Sequence, residues 1–243
     1  MIDIHGHYLP GLDDGATDLA VAVAMCRRAA AEGCEAVIAT PHLRRDEWPG
    51  VNAEAIARGV AELQRALGAA PIVHAGAEVR VDSELLVDLD RAGAVVPLAG
   101  SRYLLLELDP WGYGPEPVEL VQELVFAGWR PIVAHPEVTP FLAASGDLLD
   151  RLVAAGAMLQ VTASCLLGAA GRKPRELVRD LIESGLAHFV ASDTHRTDWR
   201  PPALAEARLE VERGWGADVA RRLFDENPRA VVENRPLPAE EAA

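Results

Sequence analysis

The chain has 243 residues, half of them hydrophobic, which is enough for a sizeable core and argues against extended disorder. Its 37 acidic against 23 basic residues leave a net charge of −14, which argues against a nucleic-acid-binding surface with its basic stripe. Cys26, Cys34 and Cys165 are too few and too scattered for a disulfide framework; with no signal peptide ahead of Met1 and no apolar run of the ~18 residues a membrane span needs, a cytoplasmic protein is expected.

Along the chain, short apolar runs alternate with longer alanine-rich helical stretches. "MIDIH" opens as a strand and is followed by the helical pattern "DLAVAVAMCRRAAAEG". "EAVIATPH" precedes "NAEAIARGVAELQRALG", and "APIVHAGAEV" and "RYLLLEL" precede "EPVELVQELVFAG". "RPIVAHPE" leads to "SGDLLDRLVAAG", "AMLQVTA" to "KPRELVRDLIESG", and "AHFVASDTH" to two more helices, "PPALAEARLEVERG" and "WGADVARRLFDEN". Residues 236–243 are expected to fray. Strand–helix alternation over seven runs predicts a parallel sheet covered by helices. The runs are continuously apolar, as buried parallel strands are. An open doubly wound sheet and a closed barrel both fit this pattern, and no linker-like shift divides residues 1–243, so a single domain is expected.

The polar residues favour the barrel. His5 and His7 end the first run, His42 the second, Glu78 the third, Glu107 the fourth, His135 the fifth, and Asp193 with His195 the seventh. In β/α barrels the active site is built at that rim, from the C-terminal ends of several strands. Five of the seven histidines fall there, and only His74 and His188 sit early in their runs. A carboxylate such as Glu107, directly after "YLLL", is costly to bury without a cation or donors nearby. Imidazole and carboxylate without thiolate suit Mn, Zn, Fe or similar ions, and the set exceeds the needs of one ion. Such clusters lower the pKa of a bound water and clamp an oxyanion.

Rival chemistries find no support. There is no phosphate-binding loop of the G-x-x-x-x-G-K-[ST] type and no G-x-G-x-x-G after a strand. Six residues separate Cys165 from Arg172, where a cysteine phosphatase has five. Ser192 lies near Asp193 and His195, but nothing around it forms a nucleophile elbow.

Together, "DIHGH", "LPGLDDGA", "ATPH", "AHPE" and "ASDTH" resemble the polymerase-and-histidinol-phosphatase (PHP) superfamily. Within it they are most similar to the manganese-dependent bacterial tyrosine phosphatases of capsule and exopolysaccharide loci. The resemblance implies a distorted (β/α)7 barrel of the PHP type around three metal ions, Mn²⁺ first, with Fe, Zn, Co or Mg as alternatives. It implies a first metal on His5, His7, Glu78 and Asp193, with Glu78 bridging to a second held also by Glu107 and His135. The third would take Asp14, His42 and His195, while Asp13 shapes the turn. Three dications against these four carboxylates leave about +2 locally, which reverses the sign of the field for an anionic ester. A bridging hydroxide would then attack phosphorus in line, with Asp193 and His195 at the reacting centre.

The resemblance also implies an arginine a few residues beyond "SD-x-H", where Arg200 stands, as a bidentate phosphate clamp. The family has a second arginine directly after "HPE", where this chain has Val138. Arg44, Arg45 and Arg172 are the candidates to replace it. The expected function is therefore a metal-dependent phosphomonoesterase acting on phosphotyrosine in proteins, the tail of a polysaccharide-assembly tyrosine kinase being the implied partner. The alternatives are a phosphatase or phosphodiesterase for small metabolites, or a catalytically silent regulatory module. Val138 predicts weaker discrimination in favour of phosphotyrosine peptides, and a gain of about tenfold for Val138→Arg if the new bonds contribute ~1.4 kcal/mol.

Overall fold

The computed structural model describes residues 1–238 apart from 90 and 92. The expected runs fold as strands β1 (Ile2–Gly6), β2 (Ala36–Ala39), β3 (His42–Leu43), β4 (Ile72–Ala75), β5 (Glu78–Arg80), β6 (Tyr103–Glu107), β7 (Arg130–Ala134), β8 (Met158–Thr162) and β9 (Ala187–Ala191). All ladders are parallel, in the orders β1-β2-β4 and β3-β5-β6-β7-β8-β9. The second and third runs each break in two, because Pro41 has no N–H to give to a ladder. The register nonetheless carries through: Ala39 faces Ala75, His42 faces Glu78, and the Glu78 N–H still reaches the Pro41 carbonyl at 3.1 Å.

The seam between the last and first strands closes beyond the end of β9. Asp193 N–H donates to the His5 carbonyl at 2.9 Å and His7 N–H to the Thr194 carbonyl at 2.8 Å. The result is a distorted barrel of seven staves, two of them broken, closed by the residues that carry chemistry.

Side-chain caps start several outer helices where the sequence places them. Asp18 accepts from Val21 N–H at the head of Leu19–Ala31, and Asn52 from Ala55 N–H at the head of Ala53–Leu67. Glu116 does the same for Pro117–Phe126. Leu148–Ala154, Arg172–Glu183 and Leu204–Trp215 complete the main outer set. The last expected helix is a composite: Ala217–Arg221 runs through a π-helical turn at Arg222–Glu226 into Asn227–Val232.

Alternation along the strands separates two cores. Val37, Leu104, Leu106, Val133, Leu159 and Val190 face the helices, while Ile38, Tyr103, Leu105, Ile132, Met158 and Phe189 fill the barrel. Ala230, Val231 and Leu237 join the inner cluster. The expected fraying at 236–243 therefore does not hold at Leu237, which is buried; residues 239–243 lie outside the described residues.

Candidate metal centre

The first pair of imidazoles is delivered by an irregular strand. Between Asp3 and Gly6, β1 has one residue more than β2 opposite it, a bulge that re-aims the side chains that follow. His5 and His7 are both fully buried, their rings 5.6 Å apart. Each is fixed by its far nitrogen: His5 Nδ1 lies 2.8 Å from Gln160 Oε1, and His7 Nδ1 lies 2.6 Å from Asp13 Oδ2. This leaves both Nε2 atoms turned toward the acids. Gly15 lets the "DDG" loop pass under His7, since a Cβ there would meet the His7 carbonyl oxygen at 2.2 Å.

Two further candidates sit on backbone that L-residues seldom adopt. His135 directly follows β7 with φ 33°, and Asp193 lies two residues past β9 with φ 49°. Such left-handed positions cost about 1–3 kcal/mol each and are held only where the surroundings over-determine them. At both, the chain turns at the strand end and presents the side chain to the barrel mouth.

All nine expected ligands come together there, in overlapping groups whose donor atoms lie within 4.8 Å of one another. His5 and His7 join Asp193; His7, Asp14, His42 and His195 form another group; His5, Glu78 and His135 a third. Glu107 joins Glu78 through His42 rather than through His135. Glu78 is central. Its Oε1 lies 2.6 Å from His135 Nε2, and its Oε2 lies 2.8 Å from His42 Nδ1 and 3.6 to 3.7 Å from the Nε2 atoms of His7 and His5.

Burial opposes the charge of Glu78, yet His42, His5 and His135 hold its carboxyl well below the usual range. Asp193 is likewise buried, and His5, His7 and Arg200 keep it ionised. Asp14 is brought down to about 2 against its burial by His195, with His7 and His42 adding to the effect. His195 itself is pushed down by burial, which favours the neutral, ligating form.

The fit to cations rests on what these atoms lack. His5 Nε2, His7 Nε2, Asp14 Oδ1 and Glu107 Oε2 are buried without a hydrogen-bond partner, and Glu78 Oε2 and His42 Nδ1, 2.8 Å apart, meet without the alignment of a hydrogen bond. Buried polar atoms are ordinarily satisfied. Here orphans of both kinds, imidazole nitrogen and carboxylate oxygen, converge on one mouth, the donor set that borderline divalent ions take.

Arg200 stands at that mouth, with φ 51°. Its Nη2 donates to Asp193 Oδ2, its Nη1 lies 3.4 Å from His195 Nε2, and its carbonyl accepts the His195 N–H. The mouth is a cavity of about 290 Å³. Its polar side includes Asp14, His42, Glu107, Asp193 and His195; Trp48, Leu108, Pro110 and Val138 supply apolar wall. Trp48 stacks on His42 with ring centroids 4.9 Å apart.

Of the three arginines considered as replacements at position 138, Arg45 lines this cavity. Arg44 is bound to Asp82 and Asp88, and Arg172 pairs with Glu176 on the solvent face of its helix. The cysteines are buried and free, and burial pushes the Cys26 thiol up to about 12 and Cys165 higher still, far from a reactive thiolate. The bulge in β1 and the support of His7 by Asp13 carry no residue pattern of their own. The aspartate pair in "LDDG" is the one hint of the latter.

The family model for capsular polysaccharide synthesis, CpsB/CapC, matches residues 1–233. The tyrosine-protein phosphatase YwqE of Bacillus subtilis is 33% identical over 241 residues, covering 98% of this chain and 93% of its own length. The tyrosine-protein phosphatase CpsB of Streptococcus agalactiae is 26% identical over 243 residues, covering 96% and 99%. A solved structure from work on YwqE of Bacillus subtilis and CpsB of Streptococcus pneumoniae, described as metal-dependent tyrosine phosphatases, superposes with a TM-score of 0.89 at 33% identity. That match covers 98% of this chain and 96% of the other.

Proposed function

This chain belongs to the CpsB/CapC family of capsular polysaccharide synthesis, and we propose that it is a metal-dependent protein-tyrosine phosphatase, residues 1–243 forming one phosphatase domain. The observation that carries the reading is the convergence of orphaned, buried imidazole nitrogens and carboxylate oxygens at the barrel mouth. His5, His7, Glu78 and Asp193 would hold one ion, Glu78 and His135 a second, with Glu107 reaching it from the His42 side, and Asp14, His42 and His195 a third, with Mn²⁺ the preferred ion. When bound, such ions supply Lewis acidity, acidifying water and clamping phosphoryl oxygens.

The chain's own residues do the rest. Gln160 and Asp13 hold His5 and His7 at Nδ1, so that Nε2 is the face each presents. Arg200 spans Asp193 and the cavity, so its remaining N–H groups receive the phosphate of the ester in charge-assisted hydrogen bonds. Trp48, Leu108, Pro110 and Val138 give the leaving group an apolar wall, suited to a ring. A phenolate, of pKa ~10, departs with less protonation than an alkoxide. The substrate is phosphotyrosine in a protein, the tail of a polysaccharide-assembly kinase in the cytoplasm. Among the described residues, no helix is long and apolar enough to cross a membrane.

The test is a panel of phosphotyrosine peptides and metabolite phosphates assayed with Mn²⁺, with other divalent ions and with chelator. Chelation is expected to abolish hydrolysis of aryl phosphates and phosphopeptides, and Mn²⁺ to restore it. Full activity in protein shown metal-free by elemental analysis would overturn the reading. Val138 in the cavity wall favours a second substrate class, small aryl and metabolite monoesters, and turnover of these at the expense of phosphopeptides would decide for it.

A further inference from the structure

Arg44 and Arg45 are neighbours in sequence with opposite engagements. Arg44, at φ 69°, spends its guanidinium on Asp82 and Asp88. Arg45 turns to the barrel mouth, where its Nη2 donates to Glu107 Oε1. Its Nε is buried without a partner. Glu107 Oε2, the oxygen Arg45 does not take, is the orphan grouped with His42 and Glu78.

Arg200 is built the same way at another point of the rim. It takes Asp193 Oδ2, while Asp193 Oδ1 lies 3.5 Å from the Nε2 atoms of both His5 and His7. In each pair an arginine holds the outer oxygen of a carboxylate whose inner oxygen faces the cluster. Glu107 ends β6 and Asp193 follows β9, three staves apart in a barrel of seven, so the two guanidiniums are anchored at different points of the rim. Arg45 and Arg200 are the two arginines lining it, with no lysine among the described lining residues. A single guanidinium half-committed to a carboxylate cannot by itself grip a tetrahedral dianion from two directions; two can.

We infer that Arg45 is a second phosphate-binding residue of this site, donating to non-bridging oxygens of the ester from an anchor point separate from that of Arg200 while keeping its bond to Glu107. The inference rests on the phosphatase reading for its substrate, but phosphate binding tests it without turnover.

The experiment compares wild type, Arg45→Ala and Arg45→Lys, each loaded with Mn²⁺. It measures inorganic phosphate affinity by calorimetry, metal content by elemental analysis, and kcat and KM on a small aryl phosphate. Arg45→Ala is expected to weaken phosphate binding about tenfold, the worth of a hydrogen bond to a charged group. It is expected to lower kcat/KM on the order of 10²-fold with metal content unchanged. Arg45→Lys, which keeps the charge and loses the fork, is expected to fall between the two. Unchanged phosphate affinity in Arg45→Ala overturns the inference and leaves the phosphatase reading intact. Loss of metal from both variants also overturns it, since Arg45 then serves only to orient Glu107. A wild type that hydrolyses no monoester, yet binds phosphate in an Arg45-dependent way, overturns the phosphatase reading instead.

Discussion

His7 Nδ1 and Asp13 Oδ2 lie 2.6 Å apart, and both side chains are shielded from solvent. The same oxygen accepts the His42 N–H at 3.0 Å, and Oδ1 accepts the Gly15 N–H at 3.0 Å. Asp13 thus fixes the tautomer of one candidate ligand and the backbone of another. Partners of this kind are worth about 10- to 100-fold in metal affinity. Asp13→Ala is expected to weaken Mn²⁺ binding by that factor, and Asp13→Asn, which can still accept a hydrogen bond, by less. A competitive chelator titration reads both; affinities equal to wild type would make Asp13 a turn residue only.

The His135–Glu78 contact sets a pH dependence for metal uptake. Burial alone would lower the His135 imidazole, but Glu78 beside it carries it up to about 9. Below that pH the metal-free protein holds a proton on His135, and a cation must displace it. Apparent affinity should therefore rise with pH up to about 9 and fall in acid, by about tenfold per unit for one proton. Calorimetry of Mn²⁺ binding at pH 7 in buffers of different ionisation enthalpy should show release of about two protons, one from this pair and one from His7, which against its burial Asp13 holds well above its ordinary value. No release would mean that both rings are already neutral.

Much of this cluster is legible in the sequence, because candidate ligands at strand ends are tied to a pattern that folds as read. His42, Glu78 and Glu107 occupy β3, β5 and the end of β6, the positions that their apolar runs assign. The breaks in the second and third staves follow from Pro41 and are visible once it is weighed as a missing donor. Other features depend on long-range closure. The bulge in β1 exists only against β2, and the left-handed backbone of His135 and Asp193, which Asp and His adopt more readily than most residues, has no local sequence pattern that marks it. Leu237 is buried because the inner core includes the C-terminal segment, which no local composition reveals. Arg44 and Arg45 are indistinguishable as letters; only the fold separates the one on Asp82 from the one on Glu107.

His188 gives the fold an acid weakness away from the site. Its Nδ1 accepts the Leu159 N–H at 3.2 Å, which requires the unprotonated ring, and burial pushes it down to about 4 from the ordinary 6.5. The unfolded chain takes this proton first as pH falls, so stability drops between about 6.5 and 4 and is fully present above that window. The loss amounts to at most about 3 kcal/mol. Urea denaturation of metal-free protein at pH 7 and pH 4.5 should show His188→Gln losing less stability than wild type over this interval. Equal losses would place the acid sensitivity elsewhere.

Val138 lies in the cavity wall, 38% exposed, its N–H bonded to the His135 carbonyl at 3.1 Å in the turn Pro136–Val138. An arginine at this position would bring a third guanidinium to a mouth that Arg45 and Arg200 already line. Groups that grip the same oxygens are not additive. The tenfold gain expected from the sequence alone should therefore shrink to about twofold when Val138→Arg is made in wild type. On an Arg45→Ala background the same substitution should recover about tenfold in kcat/KM for a phosphotyrosine peptide, ~1.4 kcal/mol of transition-state stabilisation. The measurement is a four-member cycle of wild type, both single variants and the double variant, on one peptide and one small aryl phosphate. A tenfold gain in both backgrounds would mean that positions 45 and 138 bind independently. No gain in either would mean that the turn, continued by Thr139 and Pro140, holds a side chain at 138 away from the phosphate.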